Sequence, residues 1–227
     1  MQRDCAVVDV QLAPLANEGS VADSLNLLSH PRAPRPAVGG QLLRRCKLAH
    51  IDRAADEHHA AGFTDLRNCG GAQVNANHDV VIGSSGGYPM DINLYQGMKS
   101  YAPAQMAMQP NGIFIALLDC PDIYEPPSFF DCFRFNDELS MEKELRAGFT
   151  IPFYIAFYMY CMSKQFTVIM VTRPENFDAV RRTGQIPAAT LAEAWTLAQK
   201  KLMAQGKAET YTVNIMPHGV NTVPMFK

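Results

Sequence analysis

Asn93, Gln96 and Lys99 stand three and six residues apart within SSGGYPMDINLYQGMKS, residues 84–100. On a helix that spacing puts an amide, a second amide and an ammonium on one side. Together with the N–H groups of a helix start, a Gln donor and a Lys cation suit a carboxylate or a phosphate. Asp91 is expected to cap a helix that begins near Ile92. Gly86 and Gly87 permit backbone positions that other residues resist, or let a ligand come close. The plain structural explanation of the same residues is turn chemistry after a strand, with Lys99 solvated and Asn93 capping locally. Neither GxGxxG nor GxxxxGK[ST] occurs here, so the segment is not the dinucleotide fingerprint and not a P-loop.

The elements around this segment are strands and helices in alternation. DVVIG (79–83) and GIFIALLDC (112–120) are apolar runs that read as buried strands. Residues 92–108 suit a helix despite Pro103, with Leu94, Met98, Tyr101 and Gln105 at helical spacing. PDIYEPPSFFDCFRFN reads as a long aromatic loop, placed over a cleft, against the sheet or against another domain. SMEKELRAG predicts a helix opened by Ser140, and 152–163 an apolar helix with Pro152 in its first turn. FTVIMVT is a strand, and RPENFDAVRRTG a helix closed by Gly184. In PAATLAEAWTLAQKKLMAQG, Thr190 and Glu193 make a capping box ahead of a stripe of Leu191, Ala194, Trp195, Ala198 and Leu202. AETYTVNIMPHG is the last strand, and the tail MPHGVNTVPMFK reads as irregular. The expected fold class is α/β: a Rossmann-like three-layer domain with a mainly parallel sheet. Ligands then bind beyond the carboxyl ends of the strands, where SSGGYPMD leaves the first one.

Composition bounds the partners. The chain has 227 residues, 20 basic against 22 acidic, and 48 % hydrophobic residues. That is enough for one sizeable core and supplies no basic field for nucleic acid. The most apolar stretch contains Pro152 and is too short to span a bilayer, so no membrane partner is expected and a cytoplasmic location is. The six cysteines, Cys5, Cys46, Cys69, Cys120, Cys132 and Cys161, form no CxxC pair and read as free thiols. Cys120 follows a strand, where core or rim packing outweighs reactivity. His58 and His59 are adjacent and point apart on a helix, and His30, His50, His78 and His218 have no motif spacing, so no metal site is assigned. Residues 1–78 differ in composition from the rest. HPRAPRPAVGG breaks regular structure, and QLLRRCKLAHIDRAADEHHAAGF carries only a partial helical stripe.

GGYPMDINLYQGMKSYAPAQMAMQPNGIFIALLDC closely resembles the C-terminal domain of the nickel-pincer-nucleotide lactate racemase family, over roughly residues 79–227. Its GG-x-P-x-D-x-NLYQ-x-x-K pattern is dense. The resemblance implies a two-domain enzyme with its active site in the cleft. It also implies a nickel-pincer nucleotide tethered to a lysine of the N-terminal domain, and histidines there for nickel ligation and acid–base work. In the reaction the resemblance implies, a hydride leaves the α-carbon of a small 2-hydroxy acid, or a related anion, and returns to either face of the keto acid. The C-terminal domain supplies a glutamine and a lysine, here Gln96 and Lys99. Gly86, Gly87, Asp91 and Asn93 share that segment as substrate- or cofactor-binding candidates. The expected division is 1–78, an irregular or partly helical extension or a divergent remnant, and 79–227, the racemase-like domain. The chain is expected to lack competence alone, no cofactor being expected on it by itself. A separately encoded N-terminal domain would complete it. The alternative is a non-catalytic small-acid or nucleotide-binding module, or a truncated remnant.

Overall fold

The computed structural model describes residues 8–12, 70–74 and 77–226. The partial helix expected over 41–63, His30, His50, His58 and His59, and Cys5, Cys46 and Cys69 lie outside these residues. The strands are β1 (Val8–Leu12), β2 (Gly70–Val74), β3 (His78–Ser84), β4 (Met108–Leu117), β5 (Thr167–Val171), β6 (Ile186–Ala188), β7 (Tyr211–Met216) and β8 (Thr222–Phe226). The helices are α1 (Leu94–Gly97), α2 (Tyr101–Ala107), α3 (Pro127–Phe130), α4 (Glu138–Ala147), α5 (Ile151–Gln165), α6 (Phe177–Arg182) and α7 (Leu191–Ala204). Six strands form one sheet in the order β1-β7-β3-β4-β5-β6. β1 runs antiparallel to β7, and every other pairing in that sheet is parallel. β2 and β8 form a separate parallel pair. The expected mixed α/β class with a mainly parallel sheet is what the chain adopts.

Alternation along the central strands sorts their side chains onto two faces. Val81, Phe114, Ala116, Val168, Met170 and Met216 point to one face. They pack under α1, α2, α3, α5 and α6 with aromatic and methionine side chains such as Tyr101, Phe129, Phe153 and Met159. Val80, Ile82, Ile113, Ile115, Ile169, Val171 and Val213 point to the other face, against α7. Both faces are covered, which explains why the strands read as continuous apolar runs. The buried residues of α7 are Leu191, Ala194, Trp195, Ala198 and Leu202, the stripe read from its spacing. Each of the two leucines contributes about 2 kcal/mol by leaving water. Thr190 caps the helix and Glu193 reaches back as expected, though one residue further: Thr190 Oγ1 accepts from the Glu193 N–H at 3.1 Å, and Glu193 Oε2 accepts from the Ala189 N–H at 2.8 Å rather than from that of Thr190.

Several local expectations are corrected. The helix over 92–108 is broken into α1, a 3-10 turn at Met98–Ser100, and α2. Pro103 explains the break, because its ring crowds the carbonyl four residues back, that of Lys99, and it has no N–H to donate. Of the three placements open to the aromatic loop, packing against the sheet is the one adopted, in the cluster that holds Phe114 and Val168. Phe129, Phe130 and Phe133 are buried and stack with ring centroids 5.3–5.9 Å apart. α4 is opened by Asp137, whose Oδ1 accepts from the Ser140 N–H at 2.8 Å, and not by Ser140. The tail is not irregular: 222–226 is strand β8, held by pairing with residues 70–74. β6, only three residues long, escaped the sequence reading.

Candidate functional site

β3 has β4 on one side and β7 on the other. The chain leaves β3 over one face through α1 and α2, and reaches β7 from α7 on the opposite face. Open α/β sheets bind ligands beyond the carboxyl ends of their strands. Segment 84–100 starts there.

Gly86 (φ +102°) and Gly87 (φ +77°) occupy the left-handed region that side chains resist. The Gly86 N–H donates to Ser84 Oγ at 3.1 Å, and the Gly87 carbonyl accepts from the Met90 N–H at 2.8 Å. Asp91 does not cap the helix, which corrects the expectation for that residue. The cap is Asn93, extended at φ −146° and ψ 169°, with Oδ1 accepting from the Gln96 N–H at 2.9 Å. Asp91 lies two residues too early. It is only 5 % exposed, and its Oδ2 accepts from the Asp119 N–H at 3.3 Å. α1 itself has four residues, too few to build much of a dipole, so the side chains carry the polarity here.

Gln96 and Lys99 meet. The Lys99 ammonium donates to Gln96 Oε1 at 2.5 Å and lies 6.0 Å from the Tyr95 ring centroid. Tyr95 is anchored edge-on against buried Phe129 at 6.1 Å. Lys99 is exposed and Gln96 half-buried. Since Lys99 engages the amide oxygen, the amide N–H₂ is the end that Gln96 turns to another acceptor. The ammonium retains two further N–H donors. Two donor groups, one charged, thus lie side by side beyond the carboxyl end of β3.

The sequence reading missed a second polar group at the same end of the sheet. Leu117 pairs with Val171, so Asp119 and Arg173 each lie two residues beyond a matched pair. Arg173 grips Asp119 through two parallel bonds of 2.7 Å. Asn176 Nδ2 bonds the carbonyls of Asp119 and Cys120 at 3.2 and 2.9 Å, and Thr172 Oγ1 donates to the Asp119 carbonyl at 3.1 Å. Arg173 holds the Asp119 carboxyl below the usual carboxylate range. Burial pushes Asp91 up, and the nearby Asp119 charge adds to the rise. The only signal in the sequence was that Asp119 and Arg173 each follow an apolar run. It acquires meaning once β4 and β5 are known to be neighbours.

Cys120 is fully buried, with φ +48°, and its N–H donates to the Asp91 carbonyl at 2.9 Å. Burial pushes its thiol well above the ordinary range, and pushes that of Cys132 up to about 12. A thiol kept protonated is a poor nucleophile, so both pack rather than react. Among the described residues no group of three or more His, Cys, Asp or Glu could hold a metal ion. Among them, too, no helix is long and apolar enough to cross a membrane.

Comparison with known proteins agrees with this geometry. The family model described as lactate racemase C-terminal domain matches residues 73–223. A lactate racemase from Thermoanaerobacterium thermosaccharolyticum is 31 % identical over 158 residues, which are 67 % of this chain and 36 % of the relative. The structure of the lactate racemase apoprotein from that organism superposes with a TM-score of 0.59 at 28 % identity, covering 67 % of this chain and 37 % of that one. The chain thus spans about a third of the length of the relative it matches. A sheet of this order, the segment 84–100 at its carboxyl end and a family match over most of the described residues lead to one conclusion: this chain belongs to the lactate racemase C-terminal domain family.

Proposed function

We propose that this chain provides the substrate-facing domain of a nickel-pincer-nucleotide-dependent racemase or epimerase of small 2-hydroxy acids, with residues 1–78 as an extension of that domain. The observation that carries the proposal is the Lys99–Gln96 contact at 2.5 Å beyond the carboxyl end of β3. A 2-hydroxy acid presents a carboxylate and, on the adjacent carbon, an oxygen that gains carbonyl character when hydride leaves. Catalysis of that change needs donors and positive charge set in place beforehand. Lys99 supplies the charge for the carboxylate, and the Gln96 amide N–H₂ supplies a donor for the neighbouring oxygen. Asn93 holds the turn that carries them, Gly86 and Gly87 shape the approach, and Asp91 ties the loop after β3 to the loop after β4.

The described residues do not fit a nickel ligand set. In this reading the metal's ligands, the cofactor tether and the acid–base histidines belong to a separately encoded N-terminal domain. The role of the present chain is to bind and orient the acid.

Calorimetric titration of the chain with D- and L-lactate tests this. Saturable binding is expected, and Lys99→Ala should weaken it about tenfold, the order lost with one charge-assisted hydrogen bond. Equal binding by wild type and Lys99→Ala would remove the clamp from this position. Absence of binding by the wild-type chain would favour a non-catalytic remnant.

A further inference from the structure

The turn that carries Gln96 and Lys99 is tied to a chain of hydrogen bonds that begins two strands away, at the end of β5. Residues 91 and 92 lead into the Asn93 cap, and three N–H groups of the loop after β4 hold them. The Asp119 N–H donates to Asp91 Oδ2 at 3.3 Å, the Cys120 N–H to the Asp91 carbonyl at 2.9 Å, and the Asp122 N–H to the Ile92 carbonyl at 3.0 Å. Asn93 Oδ1 then accepts from the Gln96 N–H, and Gln96 Oε1 from the Lys99 ammonium. Where residues 119–122 sit therefore bears on where the two donors sit.

Residues 119 and 120 are fixed in turn from β5. Asn176 is 3 % exposed, and its Nδ2 bonds two successive carbonyls, those of Asp119 and Cys120, as well as Thr172 Oγ1 at 3.0 Å. The Arg173 fork takes both oxygens of the Asp119 carboxylate, which sets its orientation as well as its distance. Cys120, inside this frame, has φ +48°, uncommon for a residue with a side chain. Such a conformation persists where the surroundings over-determine it, and these conformations cluster at functional sites. Ending a strand requires none of this, since an ordinary surface loop leaves its polar groups to water. A contiguous hydrogen-bonded path between two loops can instead carry the position of one to the other.

We infer that Arg173 is a positioning residue of the Gln96–Lys99 site, acting through Asp119 and Asp91 on the turn that Asn93 caps. Its guanidinium holds the path and does not touch the ligand. The ligand class is the small carboxylate of the function proposed above, and for that ligand the inference rests on the anion-binding reading of Lys99 and Gln96.

The experiment uses the full chain, D- and L-lactate as probes, and five proteins: wild type, Arg173→Ala, Arg173→Lys, Lys99→Ala and Asp79→Ala. Arg173→Lys keeps the charge and loses the fork. Asp79→Ala, at the other end of the sheet, controls for loss of stability alone. The readouts are affinity by calorimetry and the backbone and side-chain amide cross-peaks of Gln96 in 1H–15N spectra of the ligand-free proteins. Thermal melting checks that each variant folds. Arg173→Ala is expected to move the Gln96 cross-peaks and to weaken lactate binding about fivefold. Arg173→Lys should recover part of both, and Asp79→Ala should change neither. Gln96 cross-peaks that stay still in Arg173→Ala, or wild-type affinity in that variant, would overturn the inference, while a loss in Lys99→Ala would keep the anion reading. An equal affinity loss in Asp79→Ala would also overturn it, by tracing the effect to stability. Cross-peaks that move in Arg173→Ala while wild type binds no lactate would sustain the placement of Gln96 by Arg173 and overturn the anion reading.

Discussion

The two ends of the central sheet each bury an aspartate, and the two carboxyls are treated in opposite ways. At the amino end, Asp79 is 8 % exposed and its carboxylate accepts from the Lys207 ammonium, from the Thr212 N–H at 2.8 Å and from Thr212 Oγ1 at 3.0 Å. Burial by itself would raise its pKa, but these bonds outweigh burial and hold it below the ordinary value. At the carboxyl end, Asp91 is 5 % exposed and burial dominates, so its pKa is raised. The cation there, Arg173, is engaged by Asp119 instead. Lys99, at the same end, is exposed and engages a neutral amide and the Tyr95 ring, with no carboxylate partner among the described residues. The amino end is thus electrostatically closed, which serves stability. The carboxyl end keeps a cation facing solvent, and we propose that this cation serves a ligand.

If that contrast is right, variants at the amino end lose stability and keep binding. The largest effect is expected for Asp79→Ala, which leaves Lys207 and the Thr212 N–H without their acceptor. It should lower the free energy of unfolding in urea by about 3 kcal/mol while lactate affinity stays within twofold. A comparable loss of affinity would break the contrast. Gly86→Ala comes next, at about 2 kcal/mol, because a side chain at φ +102° is strained and its methyl would meet His218. Unlike Asp79→Ala it should also weaken lactate binding, so the ratio of the two losses sharpens the comparison. Arg173→Ala is expected to cost about 1 kcal/mol, the upper end for a partly exposed but bidentate pair. It should raise the pKa of Asp119, readable as a shift of its carboxyl carbon resonance on titration.

The smallest and most diagnostic effect lies in pH dependence. Asp79 titrates below its ordinary value of 3.8 when folded, so its contribution is present above that value and is lost as pH falls through the folded pKa. Asp91 titrates above 3.8 when folded. Its favourable, protonated contribution is therefore present below 3.8 and is lost as pH rises through the folded pKa. Asp79→Asn should flatten the acid limb of a stability–pH curve. Asp91→Asn, whose side-chain oxygen still accepts from Asp119, should gain stability at neutral pH and lose that gain in acid. Parallel curves for the two variants would show that both ends behave alike.

What was legible in the sequence was encoded within a few residues. The α7 stripe, its Thr190 cap, the apolar runs of β3, β4 and β5, and the adjacency of Gln96 and Lys99 all follow from local periodicity, and all are present. Local competition was harder to read: Asn93 displaced Asp91 as a cap, and Asp137 displaced Ser140, because a cap must be the extended residue immediately before the first turn. Strand order was beyond reach of periodicity altogether. Only the fold could bring Asp119 to Arg173 across 54 residues, Asp79 to Lys207 across 128, or His218 to Gly86. The sequence by itself determined the elements, the α/β class and the donor pair, since each depends on neighbours within a turn or two. The tertiary structure decided which strand ends meet, and with them which charges are paired and which stay exposed, because pairing across the sheet depends on the packing of the whole core.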